Sequence, residues 1–259
     1  MSTTPANMTT ARGSVRIETG SKRIRAYLGG EVVADTTAPL LVWERPYYPT
    51  YYFPLADVRS ELLEADDGAV VRSPSRGDGR RHSVRAGGKL AEGAALRYEQ
   101  SPFEALRDAV RLEWDAMDAW FEEDEEVFTH PRDPYTRVDV LASSRHVRVE
   151  LDGVTVAEST SPRLLFETGL PVRYYLPKPH VRMDLLEHTV TVSHCPYKGR
   201  AEWWSVRTGD GVREDLAWSY PTPLPESQKI AGLVSFYNEK LDIYVDGVLQ
   251  PRPSTKRKR

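Results

Sequence analysis

The sequence predicts a mainly β protein, α+β at most, built as two tandem copies of one antiparallel domain with one or two short helices in each. Three observations carry this expectation. Residues 23–64 align with residues 146–187 without a gap, and 17 of the 42 paired positions are identical. Chance gives about two or three matches in such a stretch at ordinary residue usage. The offset of 123 residues is too long for a solenoid unit and suits a duplicated domain. Finally, alternating apolar and polar residues recur between glycine-containing turns, the pattern of short antiparallel strands. A chain of 259 residues has room for two separate cores. The expected boundaries are 13–126 for a diverged N-terminal repeat, 127–143 for a Pro-rich linker, 144–249 for the C-terminal repeat and 250–259 for a disordered basic tail.

Each repeat opens with a hairpin. Ile24–Leu28 and Glu31–Ala34 flank Gly29-Gly30, and Arg145–Leu151 and Val154–Ala157 flank Asp152-Gly153. Both dipeptides supply the positive φ values that a two-residue turn requires. An apolar strand ending in Glu44 or Glu167 follows, then paired tyrosines (Tyr51-Tyr52, Tyr174-Tyr175), then a short helical stretch such as Val181–Leu186. The second copy continues with alternating Thr189–Ser193, the run His194-Cys195-Pro196-Tyr197-Lys198-Gly199, a strand from Ala201 to Arg207, a turn at Gly209-Asp210-Gly211 and a return through Trp218. A last hairpin is expected from Leu233–Tyr237 and Leu241–Val245, turning on Asn238-Glu239. In the first copy Phe103, Leu106, Val110, Trp114, Met117 and Phe121 fall at helical spacing. The repeat, however, sets this stretch opposite strand-forming sequence, so a short helix near 103–109 followed by a hairpin is expected.

Bulk properties exclude several classes. A net charge of −3 lacks the basic footprint of a nucleic-acid binder. One cysteine, Cys195, excludes an internal disulfide framework. No apolar run approaches the roughly 20 residues that span a bilayer, and the polar N-terminus has no secretory core. The expectation is a cytoplasmic protein without cofactor or metal, whose repeats pack as an intramolecular pseudo-dimer.

Chemistry has four candidate locations. Glu44 and Glu167 read either as strand-end carboxylates ion-paired with the repeated Arg59 and Arg182, or as semi-buried groups that bind a ligand or act as general base. By constant offset, the His-Cys-Pro-Tyr-Lys-Gly run falls opposite Val71–Arg76, so it belongs to the second copy alone. A thiol near an ammonium can be nucleophilic, but a lone cysteine is commonly a small buried apolar residue. Adjacent strand residues face opposite ways, so His194 does not serve Cys195 as its base. The aromatics Tyr174, Tyr175, Tyr197, Trp203, Trp204, Trp218, Tyr220, Phe236, Tyr237 and Tyr244 build core or line a pocket for a planar or sugar-like ligand. Alternation puts Trp203 and Trp204 on opposite faces. The acidic run Glu122–Glu126 reads as a solvated surface rather than a cation loop. No Walker motif, Gly-x-Ser-x-Gly elbow or His-Glu-x-x-His pair occurs.

Phe166-Glu167-Thr168-Gly169-Leu170-Pro171, Tyr174-Tyr175, Val181-Arg182, His194–Gly199, Trp204 and Ala217-Trp218-Ser219-Tyr220-Pro221 together resemble the family "domain of unknown function 427". The N-terminal copy is similar to a diverged member, and the tandem arrangement resembles two-domain actinobacterial proteins. The resemblance implies a β-tent-like domain and carries a nucleotidyltransferase-like label. That reaction needs paired carboxylates to hold Mg²⁺, and the sequence contains no Asp-x-Asp. The leading expectation is a small-molecule-binding or accessory protein with one pocket in the C-terminal repeat. Its ligand-binding residues would be Glu167, Tyr174, Tyr175, Arg182, Cys195, Tyr197, Lys198 and Trp218. The alternatives are an enzyme, with Glu167 as acid/base or Cys195 as nucleophile, and an interaction scaffold using the acidic 113–126 region.

Overall fold

The computed structural model describes residues 6–10, 13–209 and 211–253. The expected turn at Gly209-Asp210-Gly211 includes Asp210, and the basic run Lys256–Arg259 lies in the tail; both fall outside the described residues. The chain divides into two compact units, Met1–Asp133 and Pro134–Arg259. Each is a large antiparallel sheet with a four-stranded antiparallel sheet against it.

In the C-terminal unit the large sheet has seven strands, in the order Val138–Ala142, Arg163–Glu167, Arg173–Leu176, Val234–Phe236, Gly211–Ser219, Gly199–Thr208 and Leu186–Cys195. The small sheet is Val154–Ser159, Val147–Leu151, Asp242–Val245 and Val248–Leu249. The N-terminal unit repeats both orders and adds one strand, Ala6–Thr10, at the edge of its large sheet. The stretch 127–143, expected as linker, carries the strand Val138–Ala142, which pairs with Arg163–Glu167.

The expected turns form as their sequences dictate. Asp152 and Gly153 have φ of 51° and 77°, and Gly29 and Gly30 have 60° and 78°, the doubly left-handed geometry of a tight hairpin. The repeated Val-Arg pair also has a structural reason. Val58 and Val181 are buried and bridge to Ala34 and Ala157, while the Arg59 and Arg182 amides donate to the carbonyls of Val33 and Val156. The helical stretch at 181–186 is a single 3-10 turn, Met183–Leu185.

Two expected hairpins are corrected. Val234–Phe236 and Asp242–Val245 do not pair; the first lies in the large sheet and the second in the small one. The same holds after the one-turn helix Glu104–Arg107, where Ala109–Leu112 and Ala119–Glu122 enter different sheets. The connection therefore crosses the core instead of reversing within one sheet. That crossing explains the helical spacing of 103–121: Phe103 and Leu106 are buried on one side of the large sheet, and Val110, Trp114 and Met117 pack between the sheets.

Each large sheet is apolar on both faces. In the C-terminal unit Val147, Val149, Leu176, Trp204, Ala217, Phe236 and Ile243 fill the space between the sheets. Leu165, Tyr175, Ala201, Trp218 and Tyr220 form a second core on the opposite face, capped by Ile230 from the 3-10 stretch Pro225–Ile230. The neighbours Trp203 and Trp204 join different cores, as alternation requires. It is this second, outer core that positions the site.

Candidate functional site

Glu167 ends the strand Arg163–Glu167, where Leu165 points into the outer core, Phe166 points out and Glu167 points in again. Its partner comes from a three-residue loop. Cys195 and Gly199 are cross-strand neighbours, so Pro196, Tyr197 and Lys198 make the turn, and Gly199 adopts φ of 93° to close it. Lys198 Nζ donates to Glu167 Oε2 at 2.5 Å, with side-chain exposures of 10% and 9%. Two charges this far from water lose hydration that their attraction only partly returns, so the pair adds little net stability.

Around this pair lies an aromatic wall. Trp218 Nε1 donates to the Tyr175 hydroxyl at 3.1 Å, and the two rings meet edge to face. Burial pushes the Tyr175 phenol far above its ordinary range, outweighing the Trp218 hydrogen bond that acts the other way. Trp203, Trp218 and Tyr237 form a triangle with centroids 5.0 to 5.5 Å apart. Trp203 is anchored by Nε1 donating to Ser193 Oγ at 2.9 Å. The Arg173 guanidinium lies 5.6 Å from the Trp218 ring and 5.8 Å from Tyr237. It is held in place by donating to Glu239 at 2.6 and 2.7 Å and to Asn238 at 2.7 Å. The Ser235 hydroxyl, cross-strand from both Tyr175 and Trp218, is fully buried and finds no hydrogen-bond partner among the described residues.

The structure thus unites Glu167, Tyr175, Cys195, Lys198 and Trp218, and disperses the rest of the expected set. Tyr174 points to the inter-sheet core, and Arg182 is exposed, donating to Asp184 at 2.6 and 2.9 Å. Arg59 likewise pairs with Glu61 and Glu31. The expected pairing of Glu44 and Glu167 with these arginines is therefore corrected. Tyr197 is half-buried on the loop, its carbonyl accepting from Ser227. Tyr244 sits on the small sheet beneath Arg148. A cavity of about 160 Å³ is lined by Pro171, Val172, Tyr174, Asn238, Ile243, Gln250, Pro251 and Pro253, and Lys198 does not line it. Glu122 is buried, not solvated: it accepts from the Tyr51 hydroxyl and Lys22 Nζ, both at 2.6 Å. Among the described residues no group of three or more His, Cys, Asp or Glu side chains is placed to hold a metal.

A second correction concerns the N-terminal copy. Its edge hairpin pairs Ser73 with Gly77, so Ser73-Pro74-Ser75-Arg76-Gly77 is the structural counterpart of Cys195-Pro196-Tyr197-Lys198-Gly199. The offset there is 122 residues, because the bulge on the edge strand encloses residues 66–69 in the first copy and only 189–191 in the second. Arg76 pairs with Glu44 as Lys198 does with Glu167. The Tyr52 hydroxyl donates to Glu44 at 2.6 Å and accepts from Arg76 at 3.1 Å. Tyr98 and Tyr220 complete the two frames, each buried on the same face. The loop cation is thus common to both copies, and the aromatic wall belongs to the second alone.

Fold and site together define a tandem, mainly antiparallel β protein with a carboxylate, two tyrosines and a cation set on one sheet face of each half. The chain belongs to the family described as domain of unknown function (DUF427), which matches it twice, over residues 16–123 and 139–247. No curated protein matches the chain.

Proposed function

We propose that this is a small-molecule-binding protein whose ligand seats on the outer face of the C-terminal large sheet. The Glu167–Lys198 pair would supply polar anchoring, and Trp203, Trp218 and Tyr237 a stacking wall. The observation that carries the reading is the wall itself. Two indoles and a phenol packed at about 5 Å beside a pinned guanidinium, their planes inclined by 28° to 56°, offer apolar faces with polar edges, suited to a planar or sugar-like ring. Trp203 and Tyr237 are only half-buried, which leaves that surface reachable. Glu167 and Lys198 are committed to one another, which favours recognition over proton transfer by either group.

The test is to purify the chain, denature it and identify the released small molecules by mass spectrometry. Retention of an unmodified ring-containing compound is expected, abolished by Trp203→Ala and Glu167→Gln and unchanged by Arg182→Ala. Retention that survives Trp203→Ala but fails in Arg182→Ala would sink the reading.

A further inference from the structure

The N-terminal face equivalent to the proposed ligand wall has its own chemistry. There the side chains form a chain of alternating charge: Arg81 lies 3.9 Å from Glu113, Glu113 accepts from Arg111 at 2.9 Å, Arg111 Nε lies 3.7 Å from Glu44, and Glu44 pairs with Arg76. A guanidinium stands at each end, so three cations face two carboxylates. Arg76 also lies over the ring of Tyr98, with Cζ 5.1 Å from its centroid. Tyr98 is 1% exposed and its hydroxyl has no hydrogen-bond partner among the described residues. Arg111 Nε is likewise buried and finds no acceptor at hydrogen-bond distance. A buried hydroxyl without a partner loses the full cost of its lost hydration, about 1–3 kcal/mol, unless an acceptor arrives. Burial raises the Tyr98 phenol, with Arg76 and Arg111 opposing and Glu44 and Glu113 reinforcing, so all four charged groups act on that hydroxyl. The acceptor that suits two donors of this kind, set beside the Arg76 and Arg111 guanidinia, is an anionic oxygen.

We propose that the N-terminal domain carries a binding site of its own, an oxyanion site formed by Arg76, Arg111 and the Tyr98 hydroxyl, for a small molecule bearing a carboxylate or phosphate group. The site is distinct from the aromatic one and stands or falls separately. Glu44 neutralises part of the local charge, which selects a compact anion that reaches the tyrosine over one merely attracted to the surface.

The full chain is titrated calorimetrically with inorganic phosphate, with acetate and with chloride at matched ionic strength. Phosphate or acetate is expected to bind saturably and chloride not to; which of the two binds more tightly identifies the group. Tyr98→Phe removes one oxygen and keeps the ring, and should weaken binding roughly tenfold, the worth of a hydrogen bond to a charged group. Arg111→Gln should weaken it further, while Trp203→Ala in the other domain leaves it unchanged. Equal responses to all three anions, or wild-type affinity in a folded Tyr98→Phe protein, would overturn the proposal and leave the hydroxyl hydrated by water alone.

Discussion

In the N-terminal domain the sheet face beside the Glu44–Arg76 pair carries Arg81, Leu96, Arg111 and Glu113. At the same register positions the C-terminal domain carries Trp203, Trp218, Ser235 and Tyr237. The frame behind both walls is the same: Glu44, Tyr52, Arg76 and Tyr98 in one, Glu167, Tyr175, Lys198 and Tyr220 in the other. Partners inside the frame differ with the wall. Tyr52 donates to its glutamate, whereas Tyr175 accepts from Trp218 and leaves its glutamate to the lysine. The carboxylate–cation pair thus belongs to the scaffold, and the neighbouring strands decide what each face can recognise.

The largest effect should come from deleting the two carboxylates separately. Glu44→Ala strands the Arg76 guanidinium and takes the acceptor from the Tyr52 hydroxyl, and should cost about 3–5 kcal/mol. Glu167→Ala strands one ammonium and should cost less, about 2–3 kcal/mol. Urea denaturation of the full chain reads both, and the reverse order would mean that the frames are not equivalent.

Exchanging wall residues gives the next effect. Trp218→Leu installs the residue found at position 96, empties volume between Trp203 and Tyr237 and removes the donor to Tyr175. A loss of about 2–3 kcal/mol is expected in thermal melts, since the small residue is suited only to the charged wall. A smaller effect attends Gly79→Ala. A methyl group there would lie 2.8 Å from Tyr98 Cε1 and 3.0 Å from Leu96 Cδ1, an overpacking of about 1–2 kcal/mol. The corresponding residue of the other domain is already Ala201, buried in the outer core with Trp218.

Titration perturbs the two faces least. Burial acts to raise the Glu239 carboxyl, but hydrogen bonds from Arg173 outweigh it and hold the group below its ordinary value of 4.5. A depressed folded pKa means that its stabilisation is complete above pH 4.5 and is lost as the pH falls through the folded value. Acid titration followed by tryptophan fluorescence should therefore loosen the Arg173 clamp on Trp218 below pH 4.5, with no such response in Glu239→Gln. At the alkaline end, Tyr52 and Tyr175 are both raised by burial above 10.0, so both domains should lose stability as the unfolded phenols ionise above that pH.

Much of the fold was legible because local chemistry fixes it. Asp152-Gly153 and Gly29-Gly30 allow only tight turns, and the alternation at Trp203-Trp204 divides two cores. Crossings between sheets were not legible, because Val234–Phe236 and Asp242–Val245 have the composition of a hairpin and only tertiary packing separates them. In the site, Glu167 and Lys198 were each visible but not as partners, since they stand 31 positions apart and three strands of the sheet separate the strand of one from the hairpin of the other. The N-terminal cation was missed because a bulge one residue longer shifts the alignment just before the loop; the Pro and Gly flanking Ser75-Arg76 and Tyr197-Lys198 were the signal that could have restored it. Arg173, Ser235 and Arg111 gave no local sign, being ordinary strand residues whose roles come from cross-strand neighbours.

The small sheet of each domain pairs an early strand with a late one: Ile24–Leu28 lies against Ala119–Glu122, and Val147–Leu151 against Asp242–Val245. Nearly a whole domain must therefore leave the ribosome before either inter-sheet core can close. Loop closure over such a separation is slow, and the early strand waits with its apolar face uncovered. Because the N-terminal late strand ends at Glu122, ahead of the first strand of the next small sheet at Val147, synthesis completes one core before the other begins. Similar strands from the two copies are thus kept from competing for one another during translation, a safeguard that refolding from denaturant removes.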